Sequence, residues 1–133
     1  MNDFRFFLTD KIKRDCKKAK HNISEELSDI VRKVLVLTPE RGEAISGFGI
    51  LRKMRVAIPN QGFGKSSGYR LIYTTQIIDE IRYFIFLRAY FKSDIEDLTR
   101  IEYQELVKLS KAIFDNWLDY KWEDFDLSDL LEN

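Results

Sequence analysis

Between Gly47 and Leu98 the chain reads GFGILRKMRVAIPNQGFGKSSGYRLIYTTQIIDEIRYFIFLRAYFKSDIEDL, three β-rich runs separated by a Gly/Ser loop and a two-residue turn, Asp79-Glu80. Short connections of this kind join neighbouring antiparallel strands. Leu51–Ile58 alternates, with Arg52, Met54, Val56 and Ile58 on one side and Leu51, Lys53, Arg55 and Ala57 on the other. The apolar set is expected to face helices, which leaves Lys53 and Arg55 side by side on the opposite face. Tyr69–Thr75 is the second strand and Ile81–Phe91 the third. In the third, parity places Arg82, Phe84, Phe86, Arg88 and Tyr90 on one side, with Lys92 continuing it. Ile81, Tyr83, Ile85, Leu87, Ala89 and Phe91 are expected to meet the helices.

The flanks supply those helices. Phe4–Leu8 reads as a first strand, and Thr9 or Asp10 as the cap of a helix carrying Ile12, Cys16 and Ala19 on one side. His21 and Asn22 end it. Ser24 opens a second helix whose stripe is Leu27, Ile30, Val31, Val34 and Leu35, stopped by Pro39 and Gly42. Asp97-Leu98-Thr99 starts a last helix, where Thr99 and Glu102 have capping-box spacing and Leu106, Leu109, Ile113 and Trp117 form the stripe. The order β-α-α-β-β-β-α predicts one α+β domain over residues 1–133. Its small antiparallel sheet carries two N-terminal helices packed on one face and a C-terminal helix, and the other face is open.

The 133 residues are 44% apolar, enough for a real core, and no apolar run reaches a membrane span. The start, MNDFRFFLTDKIKRD, lacks a secretory h-region, and Cys16 is the single cysteine, so a reducing cytoplasm is expected. Zero net charge hides a split: residues 1–70 hold fifteen Lys and Arg against eight Asp and Glu, and residues 71–133 hold seven against fourteen. Residues 112–133 form an acidic C-terminal extension, Lys121 alone facing Asp115, Asp119, Glu123, Asp124, Asp126, Asp129 and Glu132. This reads either as a basic working surface with an acidic arm or as a solvated end of the chain.

Several chemistries are excluded or weak. Gly62-Phe63-Gly64-Lys65-Ser66 suggests a phosphate loop, but Pro59 stands where the first glycine belongs and a strand follows instead of a helix. One His and one Cys give little for a metal site, and His21 alone cannot form a histidine-pair ribonuclease. Asp94, Glu96 and Asp97 suit a helix N-terminus better than a magnesium ion. Neither a cofactor nor a metal is expected. What remains is Lys, Arg and Tyr. Internal cleavage of RNA needs a proton taken from the 2′-OH, neutralisation of the phosphorane, and a proton given to the 5′-oxygen. Arg suits the second task because it stays charged and grips phosphate bidentately. Arg70, Arg88, Tyr90 and Lys92 on adjacent strands can supply such a group. The same residue types equally describe cations decorating an exposed sheet face, with Tyr90 packed.

The motifs go further together. Pro39 to Gly42 with Ile45 and Gly47, then Leu51-Arg52-Lys53-Met54-Arg55-Val56-Ala57, Gly64-Lys65-Ser66-Ser67-Gly68-Tyr69-Arg70 with Ile72-Tyr73, and Tyr90-Phe91-Lys92-Ser93-Asp94 with Asp97-Leu98 occur in an order and spacing that resembles the RelE/HigB-like toxins of bacterial type II toxin–antitoxin systems, in the HigB-like branch. The similarity runs from about Leu37 to Leu109. It implies a RelE-like fold and a metal-independent mRNA endonuclease (an mRNA interferase) that acts on the ribosome and inhibits translation. It also implies a cognate antitoxin as partner. By motif, Arg70 resembles the arginine that stabilises the scissile phosphate, with Lys92, Tyr90 and Lys65 as the other catalytic candidates. Lys53, Arg55, Arg88 and Tyr73 are the RNA-binding candidates. Phe91 stands where a small residue is usual, a ring that would crowd the site if it faced it. Alternatives are a non-nucleolytic toxin or binding module, such as a ParE-like gyrase inhibitor, and an inactive regulator whose acidic tail covers its own basic face.

Overall fold

The computed structural model describes residues 4–18, 34–56 and 68–125. Its elements are β1 (Phe4–Leu8), α1 (Asp10–Lys18), β2 (Glu43–Ile45), β3 (Phe48–Val56), β4 (Tyr69–Ile78), β5 (Ile81–Phe91), α2 (Arg100–Asp115), a 3-10 turn (Trp117–Asp119) and β6 (Glu123–Phe125). The helix expected from Ser24 lies outside the described residues except for its end, where Leu35 and Val36 are buried. Among the described residues no helix is long and apolar enough to cross a membrane.

The described strands form one sheet in the order β2-β3-β4-β5-β1-β6. It is mixed rather than antiparallel throughout, because β1 lies parallel to β5, Phe6 opposite Phe84. The long hairpin of β4 and β5 turns at Asp79 and Glu80, whose φ of 50° and 69° are the positive values a two-residue type I′ turn requires. α1 is capped as expected: the Thr9 hydroxyl accepts from the Ile12 N–H at 3.3 Å and donates to the Phe86 carbonyl at 3.0 Å. In α2 both halves of the capping box form, Glu102 N–H donating to Thr99 Oγ1 at 3.2 Å and Thr99 N–H to Glu102 Oε1 at 2.9 Å.

Both faces of the sheet are covered, which corrects the expectation of one open face. Ile12 of α1, with Leu35 and Val36, packs on Met54, Val56, Tyr69, Leu71, Tyr73, Phe84, Phe86 and Ala89. On the other face Tyr103, Leu106, Ile113 and Phe114 of α2 pack on Leu51, Ile72, Tyr83, Ile85, Leu87 and Tyr90. The physical reason is that β3, β4 and β5 are apolar on both sides over most of their length, and only a second helix removes the second apolar surface from water.

The side assignments in β5 need one correction. Ile72 pairs with Arg88 but Tyr73 pairs with Phe86, so Leu87 is an extra residue, a β-bulge. Before it, Phe84 and Phe86 face α1 while Tyr83, Ile85 and Leu87 face α2. After it, Ala89 packs with the α1 cluster and Tyr90 with the α2 cluster. Simple alternation fails there because a bulge inserts one residue without reversing direction.

After α2 the chain crosses to the far edge of the sheet. Trp117 and Trp122 pack edge-on against Tyr83 at 5.3 and 4.8 Å, and the Trp122 indole N–H donates to the Trp117 carbonyl at 2.8 Å. β6 then pairs with β1, Phe6 opposite Glu123. The extension is therefore built into the fold as far as Phe125, four strands or about 19 Å from β3.

Asp79 and Glu80 hold left-handed backbone without glycine's freedom. Glu80→Gly is expected to raise stability by about 0.5–1 kcal/mol, the relief at a left-handed position offset partly by a freer unfolded chain. Urea unfolding with an unchanged slope and a higher midpoint checks it.

Candidate nucleic-acid interface

Two cross-strand rows set the site. Arg55, Arg70 and Tyr90 lie opposite one another on β3, β4 and β5, and Lys53, Ile72 and Arg88 form the next row. Direct opposition brings Cβ atoms to about 5 Å, and like charges so placed repel. Arg70 nevertheless has Arg55 on one side and Tyr90 on the other, and is itself only 5% exposed. Burial and then Arg55 pull the Arg70 pKa down, with Tyr90 opposing. Two arginines abutting on one sheet face cost stability, and a bound phosphate would relieve that cost.

The Arg70 guanidinium donates to the Gly68 carbonyl at 3.3 Å, and the Lys92 backbone N–H donates to the same carbonyl at 3.3 Å. Gly68 thus ties the predicted phosphate-binding arginine to the exposed Lys92 just past β5. Phe91, between Tyr90 and Lys92, packs with the α1 cluster. Its ring contacts Tyr69 at 6.2 Å and stays clear of the cationic face. Lys65 lies outside the described residues.

Other predicted residues are placed differently. Tyr73 is fully buried on the α1 side, where its hydroxyl donates to the Pro39 carbonyl at 2.9 Å and accepts from the Gly42 N–H at 2.9 Å. It fixes the turn before β2 and has no ring face to offer a base. Arg88 is a structural bridge. Its Nε lies 2.7 Å from Asp15 of α1 and its Nη1 3.5 Å from Glu102 of α2, while the Ala89 N–H also donates to Asp15 at 2.8 Å. β1 pairs with β5 only as far as Phe86, and beyond that point the Arg88 guanidinium reaches both helices.

Tyr90 points inward. Its hydroxyl is buried and makes no well-formed hydrogen bond among the described residues. Burial pushes its pKa up to about 12; Lys53 opposes, and Tyr103 and Asp97 add to the rise. The hydroxyl therefore keeps its proton at neutral pH and does not face a substrate on the surface. It supports Arg70 from within the core layer.

Sequence reasoning missed the group that meets Lys53. The Lys53 ammonium sits 2.9 Å from Asp97 Oδ1 and 5.5 Å from the centre of the Tyr103 ring. Asp97 also accepts from the Tyr103 hydroxyl and, at 2.8 Å, from the Leu98 N–H. Burial raises the Asp97 pKa, but the hydrogen bonds from Tyr103 and Lys53 outweigh it and hold the carboxyl below its ordinary range. The signal in the chain was only a helix start, and helix starts are often acidic. Nothing in the spacing says that this start folds back onto β3.

Between β2, β3 and the start of α2 lies a cleft of about 830 Å³, with Arg41, Lys53, Arg55, Asp97 and Tyr103 in its wall. Arg55 and Arg41 are exposed, and among the described residues no carboxylate pairs with either. The exposed cations of the cleft can grip an extended polyanion at one end of the sheet, and Arg70, buried, stands opposite Arg55 on the neighbouring strand.

Asp15→Ala is expected to destabilise the fold by about 2 kcal/mol, because it leaves the Ala89 N–H unpartnered and the nearly buried Arg88 with only its longer contact to Glu102; equilibrium denaturation measures it. Asp97 titrates below its unfolded value of about 3.8, so its ionised form stabilises the fold above that pH and the contribution disappears as pH falls through the folded value. Asp97→Asn is therefore expected to lower stability near neutral pH and to match the wild type in strong acid, as read from melting temperature against pH. The chain matches no protein-family model.

Proposed function

We propose that this chain is the toxin of a type II toxin–antitoxin system, a metal-independent endoribonuclease that cleaves mRNA on the ribosome. The observation that carries the reading is the row Arg55–Arg70 across β3 and β4, with Lys92 brought to Gly68 beside it. The resemblance of the motifs around these residues to RelE/HigB-like toxins supports the same reading.

In this proposal Arg70 and Arg55 hold the scissile phosphodiester. The 2′-oxygen attacks phosphorus as its proton leaves, and the guanidinium of Arg70 takes up the charge that grows on the phosphorane oxygens. The bond from phosphorus to the 5′-oxygen breaks. The Lys92 ammonium gives that oxygen its proton, leaving a 2′,3′-cyclic phosphate and a free 5′-hydroxyl. Lys65 is assigned to the 2′-OH proton. Lys53, clamped by Asp97, holds the neighbouring backbone. A cognate antitoxin would silence the chain by covering this cationic end.

The buried Tyr90 hydroxyl favours a second reading, in which the face binds without cutting, as a ParE-like gyrase inhibitor would. It removes one of the proton carriers that residue types suggest.

Arg70→Ala is expected to lower cleavage of mRNA on programmed ribosomes by about 10²–10³-fold, the usual cost of removing one preorganised charge at a developing oxyanion. Mapping of RNA 5′ ends after induction reads it in cells. Wild-type cuts inside codons support the enzyme, whereas intact message with DNA damage supports the gyrase reading. A melting curve for Arg70→Lys, which keeps the charge but not the fork, separates loss of chemistry from loss of fold.

A further inference from the structure

We infer that Arg41 and Arg55 form a second phosphate subsite, through which single-stranded RNA runs across the strands and leaves over the β2 edge. The inference rests on the proposed nuclease reading and extends it to a path for the substrate.

The register places the residues. Glu43 of β2 pairs with Lys53 of β3. Continuing that antiparallel register by two residues sets Arg41 level with Arg55, which is itself opposite Arg70. Three arginine positions thus follow one line across neighbouring strands, their backbones spanning about 10 Å at the usual strand spacing. The turn that carries Arg41 is pinned by its own N–H, which donates to the Thr38 carbonyl at 3.1 Å, and by Tyr73, which holds Pro39 and Gly42. Gly42 is closely packed there: an added Cβ would meet the Tyr73 ring at 3.0 Å. Arg41 is therefore an exposed cation on a rigid mount.

Charge allocation singles out the same pair. Arg52, Lys53 and Arg88 each face a carboxylate: Glu40 at 3.6 Å, Asp97 at 2.9 Å, and Asp15 at 2.7 Å with Glu102 at 3.5 Å. Arg41 and Arg55 do not, among the described residues, and both line the 830 Å³ cleft. The acidic groups in that cleft, Glu43 and Asp97, belong to the Lys53 row, with Asp97 already hydrogen-bonded to Lys53 and Tyr103. A polyanion that enters is thereby directed along the Arg41–Arg55–Arg70 row. Among the described residues no aromatic face in the cleft is free for stacking: Phe48 lies on Tyr103 with rings 5.3 Å apart, Arg100 covers Phe48 at 5.6 Å and Lys53 covers Tyr103 at 5.5 Å. The subsite reads backbone, not base.

Steady-state cleavage on programmed ribosomes tests it with the full chain. Arg41→Gln is expected to raise KM by about tenfold with kcat unchanged, and to reduce the salt dependence of log KM by about 0.7, one single-strand phosphate contact. Arg41→Lys should restore most of the binding. Lys108→Gln, an equal loss of charge on the exposed side of α2, should leave KM where it was. An unchanged KM for Arg41→Gln, a fall in kcat instead, or an equal shift in Lys108→Gln would overturn the subsite while the nuclease reading stood. A wild-type chain that cuts no RNA would overturn both.

Discussion

One extra residue in β5 decides which chemistry the sheet presents. The bulge at Leu87 turns the second half of the strand over, so that Tyr90 shares a face with Arg70 and Arg55, and Ala89 and Phe91 return to the α1 core. In unbroken alternation Tyr90 would follow Phe84 and Phe86 toward α1, and the bulky Phe91 would lie beside Arg70. A bulge costs a ladder bond and sharpens the local twist. Here it lets two apolar layers and one cationic row coexist on the same three strands.

The second constraint is that the cationic face is also a core face. α2 covers it to bury Leu51, Ile72, Ile85 and Leu87, and its first turn arrives with acidic groups. Asp97 and Glu102 neutralise Lys53 and Arg88, the cations closest to the helix. Among the described residues no carboxylate pairs with Arg41 or Arg55, toward the β2 edge. The cationic surface is therefore one end of the sheet, smaller than an open face and more sharply bounded. The aromatic clamp of Phe7, Tyr83, Phe114, Trp117 and Trp122 anchors the other end, and the acidic chain segment as far as Phe125 stays with it. β6 and the β3 cations thus lie toward opposite edges of the sheet.

Much of the local structure was legible because its causes are local. Alternation marked β3, the Asp79-Glu80 pair marked the hairpin, and Thr99 with Glu102 marked the start of α2 to the residue. The opposition of Arg55 and Arg70 depends on the register of β3 on β4, which spacing along the chain does not give. The packing of Tyr73 and Arg88 was not legible, for one shared reason: a polar tip on a strand looks the same whether it meets solvent or a buried partner. Tyr73 closes the Pro39–Gly42 turn and Arg88 joins two helices, and Pro39 and Asp15 lie more than thirty residues from them in the chain.

By itself, the order of residues left out the short edge strands β2 and β6 but determined β1, β3, β4 and β5, the helix caps, the two-residue turn and a stock of cations between Lys53 and Lys92. Those depend on periodicity and neighbouring side chains, which a linear chain contains in full. Tertiary structure alone decided which cations are neutralised, which tyrosines are buried, and that Arg41 and Arg55 line one cleft. Each of those outcomes depends on distances between segments far apart in the chain, and a single inserted residue in β5 was enough to exchange one face for the other.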